Sequence, residues 1–293
     1  MGQLFLQGGL AILIYVSIVW IISLLKKDAG IMDIFWGLGF LVVGYFYLAA
    51  DYSSALQPRL LYLLVLLWGL RLSIHIGVRN LGHAEDARYA NWRNQYGAKW
   101  WWLSYLRVFI LQGVVMWIVS IPLLTGLQDQ SSLTILDWVG ILFFVVGFLV
   151  ESLGDWQLRQ FKMNPANKGQ VLNTGLWGLT RHPNYFGEAL LWWGFTLIAI
   201  ELNTFWIVIS PVIMTWLLMK VSGVAMLDDL LRKTKPDYAE YIENTNAFFS
   251  WKKKMNHPTK FTSILIIVLG LFTMLTADEK QDKQKLVDYV DLD

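Results

Sequence analysis

Long apolar stretches alternate with short polar segments along most of this chain. A helix rises 1.5 Å per residue, so about twenty apolar residues can cross a hydrocarbon core of about 30 Å. Because backbone groups in lipid must be hydrogen-bonded within the protein, these stretches predict helices. The pattern predicts seven spans, at residues 4–25, 34–50, 60–78, 105–124, 135–153, 186–200 and 205–221. A shorter apolar run at 261–275 is either a short eighth span or a helix in the membrane interface.

The composition favours a polytopic membrane protein over a soluble one. Hydrophobic residues make up 56% of the chain and charged residues only 16%, whereas soluble domains carry about 25% charged residues. We therefore predict an all-α transmembrane helical bundle over residues 1–251, followed by a C-terminal extension, 252–293, with a short apolar helix and an acidic tail. The absence of cysteine excludes disulfides and thiolate chemistry, and the four scattered histidines predict no metal site.

The distribution of positive charge predicts an orientation. Lys and Arg concentrate in the polar segments after the first, third, fifth and seventh predicted spans. Since cytoplasmic loops carry the excess of Lys and Arg, the N-terminus is expected outside and the main polar loops in the cytoplasm, at the inner membrane for a bacterial protein. These cations follow the membrane orientation and do not form a nucleic-acid groove, so no nucleic-acid partner is predicted.

A polar stripe ends the fifth predicted span. Glu151, Asp155, Arg159 and Lys162 are spaced 4, 4 and 3 residues apart, which places them on one helical face. A carboxylate inside a span is costly unless it faces a cavity or a partner, so the stripe predicts a polar pocket open to the cytoplasm. The alternative is that Asp155 and Arg159 form an ordinary ion pair at a helix end.

The segment RHPNYFGE, residues 181–188, lies at the start of the next apolar run. Its proline suits the first turn of a helix, whose unpaired N–H groups favour an anion. Arg181 adds a forked donor, while His182, Asn184 and Tyr185 can fix a polar ligand. A charged helix cap would explain Arg181 but not Glu188, one turn inside the span. A nucleoside-containing cofactor would suit both this segment and the polar stripe, although neither a Rossmann glycine motif nor a P-loop is present.

Several ordered motifs resemble a known family. They are MDIFWGLGF at 32–40, WGLRLSIHIGVRN and EDARYANWRNQYG within 68–97, then GDWQLRQFK, NTGLWGLTRHPNYFGE and LLRKTKPDYAEYIENTNAFFSW. Together they resemble the steroid 5-alpha-reductase superfamily, and more specifically its bacterial branch, the domain-of-unknown-function 1295 family. The resemblance covers most of residues 30–251.

The resemblance implies a seven-helix bundle that holds NADPH in a cavity between the helices and reduces an activated C=C bond of a lipid. Asp155, Arg159, Lys162 and Asn184 match cofactor contacts of the family, and Glu188 lies in the same motif. Glu151 stands where the reductases have asparagine. Tyr238 and Tyr241 fall in the C-terminal motif that closes over the cofactor.

The substrate end departs from the steroid reductases. A Gln-Glu pair and a tyrosine hold the substrate carbonyl in those enzymes, whereas Asp33 and Trp68 stand at the corresponding positions here. We predict Asp33 or His75 as the acid and Arg71 as the group that stabilises developing negative charge. A structural pairing of Asp33 with Arg71 is the alternative. The segment 82–97 carries Glu85, Asp86, Arg88 and Arg93, whose mixed signs favour local salt bridges. If it is instead a lid over the cofactor, its Tyr89 offers the missing hydroxyl.

Two other function classes remain open. Membrane methyltransferases that use S-adenosylmethionine also have an RHPxY motif and an acidic pair before a closing tyrosine segment. Asp228 and Asp229, ahead of Tyr238, resemble that arrangement. A non-catalytic lipid-binding protein is the third class, although clustered buried charge is costly without a function. In every case the expected partners are the bilayer and a hydrophobic lipid substrate, and no obligate protein partner is inferred.

Overall fold

The computed structural model describes residues 1–50, 55–80, 82–129, 131–200, 204–221 and 224–248, and every element in these ranges is helical. The α-helices are α1 (Gly2–Lys26), α2 (Ile31–Ala50), α3 (Leu56–Asn80), α4 (Ala87–Tyr96), α5 (Trp100–Ser104), α6 (Leu111–Val119), α7 (Ile121–Gly126), α8 (Ile135–Met163), α9 (Pro183–Ala199), α10 (Ile209–Trp216), α11 (Val224–Thr234) and α12 (Tyr238–Asn244).

Five helical stretches are long and apolar enough to cross a membrane: α1, α2, α3, the stretch Ala87–Val119, and α8. They confirm that the described part of the chain is helical and has the character of an integral multi-pass membrane protein. The spans predicted at 186–200 and 205–221 correspond to shorter elements, the 17-residue α9 and the apolar stretch Phe205–Lys220. The number of crossings therefore stays a prediction. The run at 261–275 and the extension at 252–293 lie outside the described residues.

The fourth predicted span, 105–124, differs most from the structure. Helical structure begins at Ala87, because the Asp86 carboxylate accepts a hydrogen bond from the Arg88 backbone N–H at 2.9 Å and caps the first turn. The helix ends at Val119, since Pro122 at the start of α7 has no N–H to continue the ladder. Local capping and proline chemistry thus set both ends.

The chain forms two compact units. The first unit contains residues Met1–Val146 and Ala189–Trp216, and the second contains Gly147–Glu188 and the described chain from Leu217 onward. Each unit holds one group of the polar residues singled out above.

An aromatic cluster fills the core of the first unit. Trp68 is fully buried, with ring centroids 5.6 Å from Phe40, 5.3 Å from Trp192 and 6.2 Å from Phe195. Trp68 therefore packs as a core side chain in this protein.

Helices α2 and α3 touch through glycine. A Cβ built on Gly37 would lie 2.5 Å from the Gly69 carbonyl oxygen, whereas one on Gly77 of the same pair would meet its nearest atom at 3.6 Å. We expect Gly37→Ala to lower the free energy of unfolding by roughly 1–3 kcal/mol, because backbone has to move. Gly77→Ala is the matched control and should be neutral or stabilising, since alanine favours helix. Thermal unfolding in detergent measures both, and equal effects would contradict this packing.

Candidate functional site

A hydrogen-bonded group surrounds Asp33 in the first unit. The Tyr89 hydroxyl donates to one carboxylate oxygen at 3.0 Å, and Gln112 Nε2 lies 3.4 Å from the same oxygen. Arg88 donates to the other oxygen at 3.2 Å. The Asp33 side chain is 22% exposed. The structure thus brings together two of the predicted catalytic residues, Asp33 and Tyr89, which lie far apart in sequence.

Helix α4, which carries Arg88 and Tyr89, is tied to the turn between α1 and α2. Arg93 forms a two-pronged pair with Glu85, with both N–O distances 2.8 Å, and also donates to the Lys27 carbonyl at 2.9 Å. Glu85 in turn accepts the Ala29 backbone N–H at 2.7 Å. A paired Arg–carboxylate fork fixes orientation as well as distance, so these contacts hold Tyr89 over the start of α2.

A π-helical segment, Tyr105–Ile110, precedes Gln112. Such segments shift the register of a helix and occur frequently at functional sites. On this segment the Tyr105 hydroxyl lies 2.8 Å from Ser17 Oγ on α1, and Arg107 sits over the Tyr96 ring at 4.8 Å. The segment ends two residues before Gln112, which reaches Asp33.

Arg71 and His75 are half-buried on α3. They lie one turn apart, as their spacing requires. The hydrogen bonds described for Asp33 go to Arg88, Tyr89 and Gln112. The catalytic roles of Arg71 and His75, and the alternative pairing of Asp33 with Arg71, therefore stay predictions.

In the second unit, the polar stripe of α8 runs from buried to exposed. Glu151 and Asp155 are buried, whereas Arg159 and Lys162 are exposed at the end of the helix. Asn184 Nδ2 donates to an Asp155 carboxylate oxygen at 3.0 Å. The motif of α8 and the RHPNYFGE segment, both quoted for the family resemblance, are thus in direct contact.

Close packing of α8 against α9 makes that contact possible. A Cβ on Gly187 would lie 2.5 Å from the Glu151 backbone nitrogen, so the two helix backbones nearly touch there. Glu188, the next residue, is buried as well. The Asn184 side-chain oxygen accepts the Tyr185 backbone N–H at 3.0 Å, which directs its amide nitrogen toward Asp155.

Arg181 and His182 converge on Asp228 of α11. Arg181 Nη2 donates to one Asp228 oxygen at 2.7 Å, and the other oxygen lies 3.1 Å from His182 Nε2 and accepts the Tyr238 hydroxyl at 2.6 Å. Burial by itself would raise the pKa of Asp228, but the hydrogen bonds from His182, Arg181 and Tyr238 outweigh it and hold the pKa well below its usual range. Burial and the bond to Asp228 raise the pKa of the Tyr238 phenol.

Residues 238–248, here called the C-terminal strap, are fastened to the loop before α9. The Arg181 backbone N–H donates to the Asn246 carbonyl at 2.9 Å, and its guanidinium donates to the Thr245 carbonyl. Thr180 Oγ1 donates to the Ala247 carbonyl at 3.0 Å. Tyr241 of the strap donates to the carbonyl of Trp177, while burial raises the pKa of its phenol.

Sequence reasoning underestimated Arg88 and Asp228. Arg88 looked like a member of a local salt-bridge cluster, and it does contact Asp86 at 2.9 Å, but it also reaches Asp33. Asp228 drew attention only as part of a loose acidic pair. The one available signal was that this acidic pair lies ten and nine residues before Tyr238, on a segment rich in charge.

The depressed pKa of Asp228 predicts acid sensitivity. The pKa of Asp228 is lower in the folded protein than its unfolded value of about 3.9. The ionised carboxylate therefore stabilises the fold fully when the pH is above the unfolded pKa, and this stabilisation is lost as the pH falls through the folded pKa. We expect the melting temperature to fall below about pH 4, and to fall less steeply in Asp228→Asn, which has no carboxylate to titrate there. Thermal unfolding between pH 7 and 3 tests this, and identical pH profiles would contradict it.

Comparison with known proteins identifies the family. A family model described as a protein of unknown function (DUF1295) matches residues 19–245. "Uncharacterized protein C594.04c" of Schizosaccharomyces pombe is 25% identical in an alignment of 283 residues. The match covers 84% of this chain and 79% of that protein. "Probable O-methyltransferase ustE" of Ustilaginoidea virens is 44% identical over 46 residues, 16% of each chain. No solved structure matches significantly. Since the family model covers most of the chain, including Asp33, Asp155 and Asp228, the protein belongs to the DUF1295 family.

Proposed function

We propose that this protein is a membrane-embedded, NADPH-dependent reductase of a C=C bond in a lipid such as a sterol, an isoprenoid or a fatty chain. The observation that carries the proposal is the contact of Asp155 with Asn184. Both residues match cofactor contacts of the steroid 5-alpha-reductase superfamily, which the family resembles. In our proposal the seven-span bundle has its N-terminus outside and its cofactor cavity open to the cytoplasm, where most of the positive charge lies.

The residues of the second unit fit a phosphorylated nucleotide. Buried Asp155 and half-buried Asn184 offer a carboxylate and an amide to hydroxyl and amide groups. Exposed Arg159 and Lys162 bring positive charge one and two turns further along the same face of α8. A nucleotide matches this arrangement, because its hydroxyl and amide groups suit the carboxylate and the amide, and its phosphates suit the exposed arginine and lysine. Glu151, Tyr185, Glu188 and Tyr241 complete the proposed set of cofactor contacts.

In the first unit, the Asp33 group would supply the proton. When NADPH is bound, it supplies a hydride to the β-carbon of the activated alkene, and the α-carbon then needs a proton. Tyr89 is the proposed donor, and its phenolate would be reprotonated through Asp33, which its hydroxyl contacts at 3.0 Å, after the carboxylate takes up a proton from water. Arg88 and Gln112 would orient the carboxylate, with Arg71 and His75 stabilising negative charge on the substrate.

A lipid methyltransferase that uses S-adenosylmethionine is the second candidate. It is favoured by the 46-residue similarity to a protein named as a probable O-methyltransferase. The contacts of Asp228 with Arg181 and His182 also link the RHPNY segment to the acidic residue that this class has before its closing tyrosine segment.

Ligand-dependent stability distinguishes the two candidates. A ligand that binds only the folded protein stabilises it by mass action, by about 2.7 kcal/mol at a ligand concentration a hundred times its Kd. The melting temperature rises as a result. We expect NADPH and NADP⁺, at saturating concentration, to stabilise detergent-purified protein, and S-adenosylmethionine and S-adenosylhomocysteine to leave it unchanged. Calorimetric titration should then give a one-to-one complex with NADPH. Stabilisation by the adenosyl ligands alone would replace the reductase with the methyltransferase.

A further inference from the structure

The Arg-His pair of the RHPNY segment is fully engaged inside the second unit. Arg181 and His182 are 7% and 2% exposed. The Arg181 guanidinium is shared between the Asp228 carboxylate and the Thr245 carbonyl, and it lies 3.5 Å from the carbonyl of Ile242. An arginine whose donors face a carboxylate and two backbone carbonyls has few left for a phosphate.

Asp228 also fixes the protonation of His182. The carboxylate is ionised, because its pKa is depressed, so it can only accept hydrogen bonds. His182 Nε2, at 3.1 Å from it, must therefore carry a hydrogen, and in the neutral ring Nδ1 is the acceptor. The ring is further held by Tyr185, nearly parallel at 10° with centroids 5.6 Å apart.

Tyr238 extends the same group to the C-terminal strap. Its hydroxyl donates to the Asp228 oxygen that also contacts His182. One carboxylate thus joins α11, the RHPNY segment and the first residue of the strap. Removing it would leave three buried donors without that acceptor, which costs more than any single hydrogen bond contributes.

We propose that Asp228 is a positioning residue for the ligand site of the second unit. It locks Arg181, His182 and Tyr238 into one group, so that the Arg-His pair holds the C-terminal strap while Asn184 and Tyr185, which follow in the chain, meet the ligand. This rests on the proposed function, in that the ligand is an adenine-containing cofactor. It reassigns Arg181 from a phosphate contact to a clamp on the strap.

The test compares three variants with one control. Asp228→Ala removes the acceptor, Asp228→Glu keeps a carboxylate, and Tyr238→Phe removes a single hydroxyl in case the alanine variant does not fold. Asp237→Ala is the matched control, because Asp237 is an exposed neighbour of Tyr238 whose side chain does not cap α12. Each is measured for hydrogen exchange of the strap amides, for the His182 tautomer by ¹⁵N NMR, and for NADPH and S-adenosylmethionine affinity.

We expect Asp228→Ala to raise the exchange rate of the strap amides about tenfold and to lower the affinity for the bound cofactor about tenfold. The same change should leave His182 as a mixture of its two tautomers. Asp228→Glu should restore the tautomer and part of the affinity, Tyr238→Phe should show smaller changes in the same direction, and Asp237→Ala should match the wild type. A His182→Gln sample assigns the signal among the four histidines.

Three results would overturn the proposal. One is unchanged strap exchange in Asp228→Ala and Tyr238→Phe. Another is faster exchange with cofactor affinity unchanged within about twofold. The third is an Arg181→Lys variant that loses NADPH affinity while strap exchange and the His182 tautomer stay as in the wild type, since that identifies a phosphate contact. If the wild type binds neither cofactor, the proposed function fails, and the exchange and tautomer data still decide whether Asp228 organises the strap.

Discussion

Replacing Asp33 with alanine is expected to release α4 from α2 and to abolish turnover. The change removes the shared acceptor of Arg88, Tyr89 and Gln112. Losing a charged hydrogen bond and two neutral ones should lower the free energy of unfolding by roughly 2–4 kcal/mol. Loss of the proton source should reduce the rate of lipid reduction by about 10²- to 10⁴-fold. Thermal unfolding, hydrogen exchange over residues 87–96 and NADPH oxidation with a panel of unsaturated lipids measure these effects.

Tyr89→Phe separates the two parts of that expectation. It removes one hydroxyl and leaves the Arg88 contact, so stability should fall by only about 0.5–1.5 kcal/mol while the rate falls as far as in the Asp33 variant. The double variant should lose little more stability and little more activity than Asp33→Ala alone, because both changes remove the same contact. Full turnover in Tyr89→Phe would rule out its phenol as the proton donor, whatever happens to stability.

The helical fold was predictable wherever one strong signal acted alone. About twenty apolar residues in lipid leave the backbone no choice but a helix, and α1, α2 and α3 begin and end near their predicted bounds. Helix α8 begins at its predicted residue, 135, and continues to Met163, ten residues beyond the predicted end of the span. The region from Ala87 to Gly126 was harder, because its structure depends on local features that hydropathy does not record. An Asp86 cap, a π-helical segment and a proline each change the helix there by a few residues.

Site residues were predictable as types but not as partners. A carboxylate within a membrane span is expensive, so Asp33, Glu151 and Asp155 attracted attention at once. Periodicity, however, relates only residues on the same helix. The contact of Asp33 with Tyr89 joins residues 56 positions apart, and that of Arg181 with Asp228 joins residues 47 apart. Nothing in the spacing of either pair could indicate which arginine would meet which carboxylate.

Cofactor binding should depend most on the contact of Asp155 with Asn184. At 3.0 Å the Asn184 amide holds the carboxylate in place, and in our proposal both residues contact the cofactor. We expect Asp155→Ala to weaken NADPH binding by roughly 30- to 150-fold, equivalent to about 2–3 kcal/mol, because a ligand donor loses its carboxylate acceptor. Asn184→Ala should weaken it comparably, since it leaves the carboxylate without the donor that orients it.

The double variant tests whether the two residues act as one unit. If they do, Asp155→Ala with Asn184→Ala weakens binding little more than either change alone, whereas independent contacts would multiply the losses. Glu240→Ala, which removes an exposed carboxylate from α12 of the same unit, should bind NADPH like the wild type. Calorimetric titration of the wild type, the two single variants, the double variant and Glu240→Ala, each first shown to unfold cooperatively, gives the five affinities. Wild-type affinity in both single variants would remove the second unit from cofactor binding, and with it the basis for a reductase.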